Sequence, residues 1–254
     1  MPVAGFGCAM MSTSSSLLDS GAGADVTLAR HARRVMAHYN RIAGQDLGRL
    51  AALSDGIFAV AMTLLVLDLH VPATQVWHEH LLWAPGAASA EAPVWQVITD
   101  VGPKFAICLL GFVTLGMFWL GQQAQLNLIA RGDRTLAWIH IMFLFGIAVV
   151  PFATALLAAF TAARLALLVY WVNLVYLGLV QLAGLRYAER AGLLGEQTGP
   201  RDLRAIRRRI VAVQGLYAAA VALCPLSTYL SIAVIIALQL DSAVSPRIGL
   251  LNRL

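Results

Sequence analysis

The chain has 254 residues, of which 59% are hydrophobic and 12% charged, with a formal net charge of +5. Ordinary globular chains run at about 45–50% apolar and about 25% charged residues. So few charges cannot cover the surface of a soluble protein, which excludes a disordered chain, a nucleic-acid-binding domain and most cytosolic enzymes, and leaves a polytopic α-helical membrane protein.

In chain order, residues 1–45 read as a disordered cytoplasmic tail. The stretch 11–25 is rich in Ser, Gly and Ala, too polar to bury a core. It is followed by a basic segment carrying Arg30, Arg33, Arg34 and Arg41. With no basic start and no long apolar run, the first twenty residues do not read as a signal peptide. A crossing helix needs about 20 apolar residues at about 1.5 Å rise each. Residues 47–69, 104–129, 135–160 (with Pro151 inside) and 164–187 each meet that length. The run 205–240 is too long for one crossing. Pro225, with Ser227 and Thr228, marks its centre; proline removes a backbone donor and breaks helices, so two short spans are expected, one long kinked helix being the alternative. The six-helix channel domain is thus 46–241, and 242–254 a short cytoplasmic tail. Residues 71–103 form the long outer loop. Cys8, Cys108 and Cys224 show no pairing pattern and read as small hydrophobes.

Basic residues orient the spans. With both termini in the cytoplasm, the inner segments hold Arg49, Arg131, Arg134, Arg186, Arg190, Arg201, Arg204, Arg207, Arg208, Arg209, Arg247 and Arg253, besides the four of the tail. Only Lys104 and Arg164 of the 18 basic residues fall outside, both at helix ends. This is the positive-inside distribution. The arginines of 201–209 lie beside a span and read as anchors for anionic headgroups rather than a nucleic-acid patch.

Polar residues within a span are costly and mark function. The first span, RLAALSDGIFAVAMTLLVLDLHVP from Arg49 to Pro72, contains Ser54, Asp55, Gly56 and Thr63, with Asp68 near its outer end. On a wheel of about 100° per residue, Val60, Leu64 and Leu67 share one stripe. Thr63 borders it, and Ser54, Phe58 and Asp55 fall on the opposite side. Either the aliphatic stripe faces lipid and the polar side protein, or both sides face protein and the stripe lines a symmetric channel. Periodicity leaves both open.

The same string resembles the first helix of the TMEM175-like potassium channel family. Arg49, Ser54, Asp55, Gly56, Phe58, Ala59, Thr63, Leu64, Leu65, Val66 and Leu67 match the family pattern, while Leu53 replaces its usual Phe. The second span adds Phe118 and Trp119 in GFVTLGMFWLGQQ, and the third adds Pro151, Phe152 and Thr154. The likeness covers about residues 45–240. Two departures stand out: Gln122 and Gln123 occupy the place of a family His pair, and His140 stands where Asn is frequent. The resemblance implies a bacterial single-repeat, potassium-selective leak channel with no cofactor. It further implies a homotetramer of six-helix subunits in the plasma membrane, with the first helices lining the pore. It implies a constriction at Val60, with Leu64 and Leu67 one and two turns outward.

No TVGYG-type carbonyl filter is present. A methyl-lined constriction penalises each ion by the cost of shedding water, which favours potassium over sodium. Thr63 beside the ring is expected to lower that barrier, and the ring is expected to gate by dewetting. Asp55 lies away from the stripe, so a structural network with Ser54 and Arg49 is expected, buried against the second and third helices, with Trp119 and His140 as partners. Asp68, near the outer end, either concentrates cations at the mouth or simply caps a solvated helix end. His78, Glu79 and His80 lack a full ligand set for a metal, and Trp77, Trp83 and Trp95 suit the membrane interface. The rival readings are a proton-permeable channel on the same fold, a secondary transporter and a non-transporting scaffold. No nucleophile–base constellation or nucleotide fingerprint points to an enzyme.

Overall fold

The computed structural model describes residues 46–69, 83 and 91–244. The expectations for the N-terminal tail with Cys8, Arg30, Arg33, Arg34 and Arg41, for Trp77, His78, Glu79 and His80, and for Arg247 and Arg253 lie outside those residues. The described chain is all-helical: α1 Leu47–Leu67, α2 Ala92–Leu126, α3 Arg134–Ala159, α4 Arg164–Arg190, α5 Pro200–Val221 and α6 Thr228–Val244. The first four are long and apolar enough to cross a membrane. The run after residue 200 is divided into two helices, with turn structure around Pro225.

Each start has a local cause. Asp46 caps α1 by accepting from the Arg49 N–H at 3.1 Å, and Asp133 caps α3 by accepting from the Leu136 N–H at 2.8 Å. Pro200 opens α5, where a missing N–H costs nothing. The α2 boundary departs from expectation. The helix begins at Ala92, with Pro93 in its first turn, and runs through Pro103. The expected span began at 104; a helix in a membrane bundle tolerates the one backbone bond lost at Pro103, so it runs on through it. At 35 residues, α2 is about 50 Å long, against a hydrocarbon core of about 30 Å, so part of it extends beyond the core. Lys104 therefore lies inside a helix and not at its end. Trp95, on an early turn of this extension, is exposed, and Trp83 is exposed too.

Helix α3 packs against α1, α2 and α4; α5 packs on α4; and α6 packs on α5 and α2. One continuous apolar core joins all six helices, with Phe58, Leu115, Ile147, Leu174, Tyr217 and Ile235 among its members. Gly178 permits the close approach of α4 and α5, because an added Cβ would run into the Gln214 side chain.

The two ends of the bundle differ. At one end the α2–α3 and α4–α5 connections are stitched together: Ala130 N–H donates to the Leu193 carbonyl at 2.9 Å, and Gly195 N–H to the Leu128 carbonyl at 2.9 Å. Gly192, at φ 65°, makes the turn that brings Leu193 there, and the Leu193 N–H closes back on the Ala188 carbonyl at 3.0 Å. Leu47, at the foot of α1, packs into a small cluster with Ile129, Leu136, Ala188, Leu193 and Leu194. At the other end, Arg164 Nη2 donates to the Pro225 carbonyl at 3.3 Å and the Thr228 hydroxyl to the Ala162 carbonyl at 3.4 Å. Arg49, Arg131, Arg134, Arg186 and Arg190 belong to the stitched end; Asp68 and Arg164 belong to the other.

Candidate functional site on the first helix

Helix α1 is the least enclosed of the four long helices. Its core face is Ser54, Phe58, Ala61 and Leu65, a helical i, i+4, i+7, i+11 stripe. Phe58 sits 6.3 Å, ring to ring, from Phe143, which in turn lies 6.2 Å from Phe118. Val60, Leu64 and Leu67 stay 58%, 45% and 69% exposed, against 0% for Ser54 and 2% for Phe58. The aliphatic stripe thus points away from the subunit's own core. Thr63 borders it as an exposed residue, its hydroxyl donating to the Val60 carbonyl at 2.8 Å.

The polar motif divides into two clusters on neighbouring residues. The buried one is Ser54, Gln122 and His140: Ser54 Oγ lies 2.6 Å from His140 Nε2, and Gln122 Nε2 donates to Ser54 Oγ at 2.7 Å and lies 3.1 Å from His140 Nε2. The Ser54 hydroxyl also reaches the Leu50 carbonyl at 2.9 Å. The set ties α1 to α2 and α3 within one subunit. The open one is Asp55, Trp119 and Gln123: Trp119 Nε1 donates to Asp55 Oδ1 at 2.8 Å, and Gln123 Nε2 to the same oxygen at 3.2 Å. Among the described residues, Asp55 Oδ2 has no hydrogen-bond partner.

Trp119 and His140 therefore do meet the motif, as expected. Two parts of the expectation fail. Asp55 is exposed, not buried, in the subunit, because it sits about 90° round the helix from the centre of the core face. Arg49 belongs to neither cluster; it contributes its backbone N–H to the Asp46 cap, since it lies in the first turn, below the polar pair. Gly56 is open as well, with nothing within 4 Å of an added Cβ.

Gln122 and Gln123 are the partners that sequence reasoning missed. They appeared there only as departures from the family, although each places a side-chain amide on the turn after Trp119, level with the motif. A second polar group went unread: Gln239 Nε2 donates to Thr114 Oγ1 at 2.6 Å, and Thr114 Oγ1 lies 2.7 Å from the Tyr170 hydroxyl. It joins α2, α4 and α6, and a glutamine following the apolar run 232–238 of α6 was the available signal.

Asp68 caps the C-terminal end of α1. It borders an open recess of about 410 Å³ shared with Lys104 of α2 and Phe152, Ala155, Leu156 and Ala159 of α3. No group of three or more metal-ligating side chains occurs among the described residues.

Comparison with known proteins places the chain in a family. Residues 49–151 match the family model described as endosomal/lysosomal potassium channel TMEM175. A potassium channel of Streptomyces collinus is 31% identical over 153 residues, covering 59% of this chain and 68% of the relative. A potassium channel of Chamaesiphon minutus is 30% identical over 203 residues, covering 78% of this chain and 94% of the relative. A crystal structure of a lysosomal potassium-selective channel TMEM175 homolog from Chamaesiphon minutus superposes with a TM-score of 0.58 at 27% identity, covering 80% of this chain and 98% of that one. The chain is a multi-pass membrane protein and belongs to the TMEM175 family of potassium channels, alongside its bacterial members.

Proposed function

We propose that this chain assembles as a homotetramer and forms a potassium-selective leak channel, in which α1 lines the central pore and Val60, Leu64 and Leu67 form the constriction. The observation that carries the reading is the open aliphatic stripe on the motif helix, facing away from a core the subunit has already completed. The open Asp55 cluster supports assembly. A carboxylate within a span facing hydrocarbon is costly, whereas a neighbouring subunit would cover it. Gly56, beside it, leaves room for a second backbone to approach.

In this arrangement four copies of each stripe residue ring the pore. Methyl groups offer no oxygen to replace an ion's water, so passage costs partial dehydration, which is less for potassium than for sodium. Thr63, whose hydroxyl keeps acceptor capacity after bonding the Val60 carbonyl, eases that step. A dry ring also closes the pore by expelling water. Asp68 adds negative charge at the outer mouth, tempered by Lys104 across the recess. All six helices cross a bacterial plasma membrane within a channel domain of residues 46–241. The stitched, arginine-bearing end lies in the cytoplasm with both termini: the 1–45 tail and the 242–254 tail.

The test is reversal potentials of the purified protein in bilayers under K⁺/Na⁺ gradients, together with single-channel recording of Leu64→Ala. Potassium preference and a changed conductance in Leu64→Ala are expected. Equal permeability would overturn the selectivity, and an unaltered Leu64→Ala channel would overturn the constriction. Proton flux driven by a pH gradient in the same vesicles, exceeding potassium flux, would favour the proton-permeable alternative. Saturable, coupled flux would favour a transporter, and no flux above empty vesicles a scaffold.

A further inference from the structure

Helices α2 and α5 are not among the closely packed helix pairs. Between them runs a groove with a cavity of about 100 Å³. By comparison, an apolar cavity of about 150 Å³ takes up benzene. One wall is an unbroken helical stripe of α5: Ile206, Arg209, Ile210, Val213, Gln214 and Tyr217. The other is Met117, Phe118, Gly121 and Ala124 of α2, with Gln181 of α4 as floor. Along α5 the lining runs from Ile206 and the Arg209 guanidinium, nearer the stitched end, to Ile210, Val213 and Tyr217 deeper in the bundle, with the Gln214 amide among them. This polarity matches one lipid molecule, with headgroup at one end and acyl chain at the other.

The charge around the groove selects the headgroup. Of the α5 arginines, Arg207 pairs with Glu189 at 2.7 Å, and Arg204 donates to the Pro200 carbonyl at 3.1 Å. The one acid in the first turn of α5, Asp202, accepts from the Gly199 N–H at 3.0 Å. Arg201, Arg208 and Arg209 have no hydrogen-bond or ion-pair partner among the described residues, and of these only Arg209 lines the groove. We infer that the α2–α5 groove is a binding site for an anionic phospholipid of the cytoplasmic leaflet, its phosphate held by Arg209 at the mouth that Ala124 borders, and an acyl chain lying deeper between Gly121, Phe118, Met117 and the α5 stripe. Basic pockets between helices on the cytoplasmic side are suited to such headgroups. The inference rests on the proposed orientation, with the stitched end cytoplasmic.

Native mass spectrometry of the purified full-length protein, supplied with phosphatidylglycerol or phosphatidylcholine in detergent, tests it directly. The wild type should retain phosphatidylglycerol in preference to phosphatidylcholine. Arg209→Gln should lose about fivefold of that preference, the worth of one arginine at a lipid phosphate, whereas Arg208→Gln on the same turn should keep it. Ala124→Phe, which fills the groove, should lower retention of both lipids. Equal loss in the two arginine variants would mean diffuse surface charge and overturn the site. So would unchanged retention in Ala124→Phe, or displacement of the lipid by glycerol 3-phosphate, which has no acyl chain. Breakdown of the assembly by Ala124→Phe with lipid retention intact would mean that a second copy of the chain fills the groove. Potassium flux on the same samples separates the two readings, because lipid retention is scored whether or not the protein conducts.

Discussion

Ser54 and Asp55 are adjacent on one helix, yet they serve different neighbours. Ser54 is sealed inside the subunit with Gln122 and His140, every member buried. Asp55 is held by Trp119 and Gln123 on a surface the subunit leaves open. One residue step turns a helix about 100°, enough to pass from the core face to a lateral face. The lesson is that a compact motif need not have one role. The sealed half fixes where α1 stands in its own bundle. The open half is available to whatever covers the bundle, which in the proposed assembly is the next subunit.

Variants that separate subunit stability from assembly can break or sharpen this contrast. The largest effect is expected from Asp55→Ala. Most of the proposed tetramer should convert to smaller species by light scattering, with the helical content of the subunit unchanged by circular dichroism. Normal tetramers with altered ion selectivity would show instead that Asp55 serves the pore. Next comes Ser54→Ala, which removes the hydroxyl that Gln122 and His140 share. Contacts of this kind between membrane helices are worth about 0.6–2 kcal/mol each, so the denaturation midpoint should fall while the oligomer ratio and reversal potential hold. Trp119→Phe deletes one N–H from the open cluster, and a severalfold weaker subunit association is expected from dilution series. Gln123→Ala should do least, since its 3.2 Å bond to Asp55 Oδ1 duplicates the shorter one from Trp119. An effect larger than that of Trp119→Phe would reverse the assigned order of the two donors.

Much of the architecture was legible in the sequence because it follows from lengths and punctuation. Hydrophobic runs of crossing length, the arginines between them and Pro225 located the helices to within a few residues at most ends. The wheel put Val60, Leu64 and Leu67 together on one side and Ser54 and Phe58 on the other, as the structure has them. The start of α2 was not legible, because the cost of a proline in a helix depends on the packing around it, and Pro103 alone does not report that. Nor was the separation of Ser54 from Asp55. Both lie in the half-circle opposite the stripe, and only the positions of α2 and α3 decide which one they cover. Arg49 illustrates the same limit: its place in the motif pattern suggested a partner for Asp55, but it lies six residues below, at the cap. The glutamines were visible and misjudged, since comparison with a family pattern marks a substitution as a loss before it asks what the new side chain can donate.

The clasp between the two connecting loops has a mechanical consequence. The foot of α1 is lodged in the cluster formed by Ile129, Leu136, Ala188, Leu193 and Leu194, while the outward-facing side of the helix above it stays exposed. A rod fixed at its base moves in proportion to height. Measured from Leu47, Val60 stands about 20 Å up and Leu67 about 30 Å up. A tilt of about 5° about that base would carry Val60 sideways by about 1.7 Å and Leu67 by about 2.6 Å. Such a tilt would also drag Ser54, Phe58, Ala61 and Leu65 across α2 and α3, so the outermost rung, which must travel furthest, moves only as far as that buried face yields.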